Sequence, residues 1–346
     1  MSELKEKDYK EIRKELDKCQ SPLYFFHDDP DGLCSFLLLY KYKREGNGVI
    51  VKSTPKIDLK YKKKVDEYNP DKIFVLDIAD VTQEFIDSVN VPIIWIDHHG
   101  PYERTNIKYF NPRKYKKSSN PPVAYLAYKV VQDYEWIALA GMVSDWFLPP
   151  KKERKKLIKN YPELLPDSIE TPDEALFNTW LGKLCRILSF ILKGTHRDAM
   201  KYVKIMTRIS TPEEILNAST PQGKYIYKRF EKIDKAYQEL IQEAKKKAGK
   251  SKFIIFNYSE DTTSYTGDLA NELLYRFPDK IIIIARKKSN EMKCSLRAAK
   301  YNLPPMIEES INGLQDAYGG GHENAAGAVV KEEDFDLFLE RMKKQT

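Results

Sequence analysis

Eight side chains could do chemistry together: His27, Asp29, Asp31, Asp77, Asp97, His98, His99 and Asp145. Each follows closely on an apolar run. Carboxylates converging from several such runs would repel one another strongly without cations. Divalent metal is the simplest neutraliser. Three or four ligands per ion, with one carboxylate shared, suit two ions roughly 3.5–4 Å apart. Mixed imidazole and carboxylate ligands favour manganese or another transition metal over a pure magnesium or calcium site. Such a pair activates water and clamps a phosphoryl oxygen. The competing reading of any single Asp after a strand is a helix N-cap, and Asp28 and Asp80 fit that role alone. His196, in Gly194-Thr195-His196, reads as a helix-start residue.

A second group lies far downstream. Gly319-Gly320-Gly321-His322 is either a flexible turn or a place where backbone N–H groups approach a phosphate. In the latter reading Arg297 and His322 act as charged donors.

The elements that must position these residues alternate in type. Residues 3–18 carry a helical pattern. Leu23–Phe26 is a short apolar strand ending in His27-Asp28-Asp29-Pro30-Asp31-Gly32, and Leu33–Tyr42 is an apolar helix. Strands follow at 49–53 and 73–76, the latter ending at Asp77, then a helix at 81–89 and the apolar run 91–96 emptying into Asp97-His98-His99. Strands alternating with helices predict parallel βαβ units, which bring strand ends to one edge. Residues 101–122 read as a basic loop. Helices follow at 122–134 and 136–143, the second closing on Ser144-Asp145. Residues 151–159, 174–193, 197–208 and 224–248 are helical, with Gly249 as a stop signal. A second α/β unit has strands at 253–256, 281–285 and 292–296, helices at 267–277 and 303–310, and a last strand at Val329-Val330 before a terminal helix. The fold class is therefore α/β and two-lobed, with a parallel-sheet, Rossmann-like N-terminal lobe. The expected domains are 1–195, a helical connector at 196–250, and 251–346.

Composition sets outer bounds. The 346 residues suffice for two cores, apolar residues make up 42% and charged residues 32%, and the net charge of +7 permits a polyanionic partner. The four cysteines, Cys19, Cys34, Cys185 and Cys294, form no C-x-x-C pair. That argues against a zinc ribbon or disulfide framework and for a reducing cytoplasm. The N-terminus lacks the apolar core of a signal peptide, and no run is long enough to span a membrane.

The ordered motifs resemble the DHH phosphoesterases. Asp97-His98-His99 is similar to the name-giving motif, His27-x-Asp29-x-Asp31-Gly32 to the first, Val75-Leu76-Asp77 to the second, and Gly141-Met142-Val143-Ser144-Asp145 to the fourth. Ser295-Leu296-Arg297 and Gly319–His322 with Ala325-Ala326-Gly327 resemble the DHH-associated (DHHA1) substrate domain of the RecJ and NrnA branches, in the compact form of archaeal RecJ-like proteins. The resemblance implies a manganese-dependent phosphodiesterase holding two ions, with magnesium as the alternative. By carry-over, His27 and Asp29 hold one metal, Asp31, His98 and Asp145 the other, and Asp77 bridges. His99 faces the scissile phosphate or assists the leaving group, and Asp97 stands behind, orienting an imidazole. Arg297, Gly320, Gly321 and His322 grip the substrate.

Three functions follow from that resemblance. The leading one is an exonuclease releasing mononucleotides from single-stranded DNA or RNA, aided by the basic 113–117 stretch and by Tyr265 as a stacking aromatic. The second is a short-substrate enzyme: a nanoRNase, or a cyclic- or linear-dinucleotide phosphodiesterase. The third is a replication-complex scaffold that has lost its metals. Every ligand position here is filled, which argues against the third, although a replication-complex partner for an active enzyme stays compatible with the sequence.

Overall fold

The computed structural model describes residues 4–52, 55–259 and 263–346, so residues 3 and 53 of the expected first helix and second strand lie outside the described residues. The chain divides into two compact units, Met1–Phe230 and Glu231–Thr346.

In the first unit, α1 (Glu6–Lys18) precedes β1 (Pro22–His27), α2 (Pro30–Lys43), β2 (Asn47–Val51) and a short β3 (Lys56–Ile57). Then come α3 (Lys62–Tyr68), β4 (Lys72–Leu76), β5 (Asp80–Val81), α4 (Gln83–Ser88), β6 (Ile93–Ile96) and β7 (Lys108–Phe110). The remainder is helical: α5 (Val123–Val131), α6 (Glu135–Ser144), α7 (Lys151–Leu157), α8 (Pro172–Asn178), α9 (Trp180–Ile191), α10 (His196–Met206) and α11 (Pro212–Leu216). The division between the units falls inside the long helix α12 (Pro221–Lys245).

The main sheet has the order β2-β1-β4-β6-β7, and every pair in it is parallel. Both faces are covered, which is why β1, β4 and β6 are almost unbroken apolar runs. Leu23, Phe25, Ile73, Val75, Ile93 and Trp95 face one side and pack in one cluster with Val49, Val65 and Phe85. Each such buried side chain stabilises the fold by about 1.5–3 kcal/mol. The order reverses direction between β1 and β4, and the crevice beyond the C-terminal strand ends at that point is where a parallel sheet can receive a ligand.

Three local expectations need correction. The 101–122 stretch is not all loop: it contains β7, which pairs with β6 through Trp95 opposite Tyr109. The single helix expected at 174–193 is two, α8 and α9, with Thr179 capping the second through Gly182 N–H at 3.0 Å. Asp80 caps no helix; it lies in β5 and pairs with Arg104 at 2.8 Å and Lys56 at 3.2 Å.

The second unit has a mixed sheet of order β11-β12-β10-β9-β8. Its elements are β8 (Phe253–Ser259), α13 (Thr266–Arg276), β9 (Ile281–Lys288), β10 (Glu291–Arg297), α14 (Leu303–Ile311), β11 (Tyr318–His322), β12 (Ala325–Lys331) and α15 (Phe335–Lys344). Strands β8 and β9 run parallel, and the other pairs are antiparallel. Alternation along β10 and β12 buries Met292, Cys294, Leu296, Ala326, Ala328 and Val330 against α14 and α15. The glycine run is therefore an edge strand, not a turn. All four cysteines are buried free thiols. Among the described residues no helix is long and apolar enough to cross a membrane.

Candidate active site

Sheet register brings the first group together. Phe26 pairs with Leu76, and Leu76 with Ile96. The next residue on each strand is His27, Asp77 and Asp97, so the three sit side by side across the C-terminal edge. Neighbouring strands are about 4.8 Å apart. The Asp77 and Asp97 amides extend the ladder one step, donating to Ile96 O and Phe110 O, each at 3.1 Å.

The β1–α2 turn supplies Asp29 and Asp31. Asp29 is the N-cap of α2: its Oδ1 accepts the Gly32 amide at 2.9 Å, while its Oδ2 lies 2.8 Å from His27 Nδ1. Capping and a place in the cluster are thus one role. Gly32 is required by close approach, because a Cβ there would lie 2.6 Å from His27 O. Asp31 is buried, and its two oxygens accept the Val123 and Ala124 amides at 2.8 and 2.7 Å, at the start of α5.

Asp77 occupies the centre. Its carboxylate lies 3.5 Å from His27 Nδ1 and 3.4 Å from His98 Nε2. Its φ of +57° is in the left-handed region, which costs most residues stability and Asp rather less. Strain of this kind is kept where surrounding structure holds the side chain in one place. Asp145, the C-cap of α6, reaches to 3.8 Å from His98 Nδ1.

Three sets of ligand atoms are close enough to hold an ion: His27, Asp29 and Asp77; Asp31, His98 and Asp145; and Asp77, His98 and His99. Asp77 adjoins both outer sets. Two further observations fit bound cations. The Nδ1 of His98 is buried without a hydrogen-bond partner, which a core imidazole rarely tolerates. The charges are also unbalanced. Burial, followed by the facing Asp77 and Asp145, pushes the Asp31 carboxyl well up, and burial with Asp77 and Asp29 pushes Asp145 up to about 7. Burial works against protonation of His27 and His98. The facing carboxylates overcome it and hold the two imidazoles at about 11 and about 10. A pocket that draws in protons this strongly is short of positive charge.

Asp97 lies behind this group, fully buried. It accepts the His99 amide at 3.0 Å and sits 2.7 Å from His99 Nδ1. Tyr109 Oη and Asn111 Nδ2 each donate to it at 3.2 Å. Tyr109 stacks on Trp95 at 3.7 Å, and the Trp95 indole N–H donates to Ile78 O at 2.8 Å, tethering the backbone just after Asp77. Tyr109, Asn111 and Trp95 are supports that the sequence reading missed: the first two are placed by β7, and Trp95 lies within the apolar run of β6. Within the expected basic stretch, Arg113 donates to Ser119 O at 3.1 Å and Lys114 to Tyr109 O at 3.3 Å, so both brace this loop.

In the second unit, Arg297, Ala325 and His322 form one cross-strand row. Ser295, Gly327 and Gly320 form the next row on the same half-exposed face. Glycines leave the floor between them without side chains, and a Cβ on Gly320 would meet nothing within 4 Å. Gly321 faces the other way: its φ is +147°, and a Cβ would lie 2.6 Å from Ala325 O. Arg297 Nε donates to Asn271 Oδ1 at 2.7 Å, another support with no sequence signal, and burial lowers its pKa. Tyr265 is 4% exposed, and its amide donates to Tyr258 Oη at 2.7 Å. It is a core residue, not the stacking surface expected of it.

Comparison with known proteins agrees with this geometry. The DHH family N-terminal domain model matches residues 23–164, and the DHHA1 domain model matches 250–346. No curated protein matches the chain. Among solved structures, RecJ from Thermus thermophilus in complex with Mn²⁺ has a TM-score of 0.71 at 16% identity, over 100% of this chain and 55% of that one. This chain thus spans about 55% of that RecJ's length. An exonuclease RecJ bound to manganese gives 0.64 at 14% identity, over 99% of this chain and 94% of that one. A pGpG-specific phosphodiesterase from Vibrio cholerae gives 0.50 at 14% identity, over 94% and 98%. At such identities the likeness establishes the fold. With the two domain models matched in order and the His/Asp cluster assembled at the strand ends, the chain carries a DHH family N-terminal domain followed by a DHHA1 domain.

Proposed function

We propose that this protein is a single-strand exonuclease that releases nucleoside monophosphates from DNA or RNA. The observation that favours a polymer is a cleft of about 880 Å³ in the first unit, beside the start of β2 and separate from the His/Asp cluster, lined by Arg197, Lys201, Lys204 and Arg208 together with Asp198, Tyr40 and Tyr68. The cations recur every three or four residues along α10 and just past its end, so they share one face. Arg197, Lys204 and Arg208 have no ion pair among the described residues. A groove of unpaired cations with aromatic neighbours suits a phosphate backbone longer than a dinucleotide.

In this reading residues 1–195 are the catalytic domain, 196–250 a helical connector and 251–346 the substrate-binding domain. His27, Asp29 and Asp77 would hold one ion, and Asp31, His98 and Asp145 the other, with Asp77 shared. When bound, the ions supply a water of lowered pKa and a clamp for phosphoryl oxygens. Manganese suits this donor set, with magnesium as the alternative, and each metal is named with a Thermus RecJ structure. The remaining work falls to the chain. Asp97 keeps a proton on Nδ1 of His99 and aims Nε2 outward at the scissile phosphate. Arg297 and His322 grip the phosphate end of the substrate, and the glycine floor lets it approach the backbone.

A second reading, hydrolysis of dinucleotides, is supported by the near full-length likeness to the pGpG-specific enzyme. A manganese-supplemented assay on end-labelled DNA and RNA of graded length separates the two. Stepwise release of mononucleotides, with long oligomers cleaved faster than dimers, is expected. Faster hydrolysis of dimers would overturn the polymer reading in favour of the second.

A further inference from the structure

Helix α6 ends in a turn whose hydrogen bonds leave one position suited to glycine. The Trp146 amide donates to Val143 O at 3.0 Å and the Phe147 amide to Met142 O at 3.0 Å. That pair of bonds is a Schellman closure, and its left-handed residue is usually glycine. Here the residue is Trp146, at φ +57°. A bulky side chain at positive φ is an outlier that lowers stability. The residue is 43% exposed, and its ring meets Phe177 edge-on with centroids 6.3 Å apart. A large aromatic is therefore held in a left-handed backbone position, partly exposed and one residue from Asp145, whose carboxylate belongs to the candidate metal group.

Residual strain of this kind points to use. The use that fits a partly exposed indole about 3.8 Å along the chain from Asp145 is stacking against a flat heteroaromatic ring. We propose that Trp146 is a stacking platform for the base of the nucleotide whose phosphate lies at the Asp31–His98–Asp145 group. This rests on the nucleotide-substrate reading above and adds to it the residue that recognises the base. Stacking selects for a base without reading its hydrogen-bonding edge, so the platform accepts DNA and RNA alike and favours purines through their larger ring face.

The test uses the full chain with manganese and compares wild type with Trp146→Gly and Trp146→Phe. Trp146→Gly keeps the left-handed turn accessible and is expected to raise KM for a ten-residue oligonucleotide about 5- to 100-fold, with kcat within about threefold. Trp146→Phe is expected to keep KM near wild type. Adenosine 5′-monophosphate is expected to quench an indole signal present in wild type and missing from Trp146→Gly, whereas inorganic phosphate does not quench it. An unchanged KM with unchanged quenching in Trp146→Gly overturns the proposal. So does a lowered Tm with unchanged KM, which makes the ring a packing residue, or equal quenching by phosphate. If wild type cleaves neither DNA nor RNA, the exonuclease reading fails. The nucleotide-specific quenching difference still tests the platform by itself.

Discussion

The two ends of the same five-stranded sheet treat carboxylates in opposite ways. At the N-terminal end, Glu15 from α1 meets Lys108 at the start of β7, at 2.7 Å, and Lys72 at the start of β4. These two cations, Lys108 first, pull the Glu15 carboxyl down to about 2. At the C-terminal end, burial and facing acids push Asp31 and Asp145 up instead. The residue class is the same, as is the sheet. What differs is whether the chain supplies the countercharge. The first end is complete and serves stability; the second is left short of positive charge, as a place that receives cations is.

The comparison breaks first, and most visibly, at Asp77. Asp77→Ala should lower hydrolysis by at least about 10³-fold. It should also lose the manganese-induced rise in Tm, which at 100 times Kd corresponds to about 2.7 kcal/mol in wild type. Wild-type rates in manganese would refute a shared carboxylate. Asp97→Asn keeps the shape but weakens the hold on His99, and kcat should fall about 10- to 100-fold; an unchanged kcat with an unchanged pH profile would remove Asp97 from the machinery. Arg297→Ala, in the second unit, should act on binding, with KM up about tenfold and kcat little altered, measured by steady-state kinetics on one oligomer.

The smallest effect belongs to the completed end. The Glu15 pKa is lower folded than unfolded, so its contribution is present above about 4.5 and is lost as pH falls through that value towards about 2. Glu15→Gln should therefore cost about 1 kcal/mol at pH 7 and progressively less below pH 4.5. Urea titrations at both pH values check the sign. A constant penalty across that range would mean that packing, not charge, is what Glu15 supplies.

Much of the acidic cluster was legible in the chain because β1, β4 and β6 are apolar runs that stop abruptly at His27, Asp77 and Asp97. Parallel order then places the three in one line. The supports were not legible. Tyr109 sits in a three-residue strand flanked by polar residues, and only pairing with β6 makes it a strand at all. Asn111 and Asn271 look like any loop or helix amide until the groups they hold are in place. The glycine run misled for a related reason. Glycine has little strand preference of its own, and β11 exists because Ala325–Val329 pairs with it. The left-handed backbone at Asp77 and Trp146 likewise leaves no trace in residue type, since neither position carries glycine.

That same strand has a consequence for how the protein behaves at high concentration. β11 is the last strand of its sheet and is exposed along its whole length. Its outer row of amides and carbonyls is an open template on which another chain could add a strand and begin a fibre. Three glycines in five residues make it a poor one: they offer no side chains to interlock with an incoming sheet and lose more freedom than other residues when pinned. The bareness of this strand guards the edge against self-association.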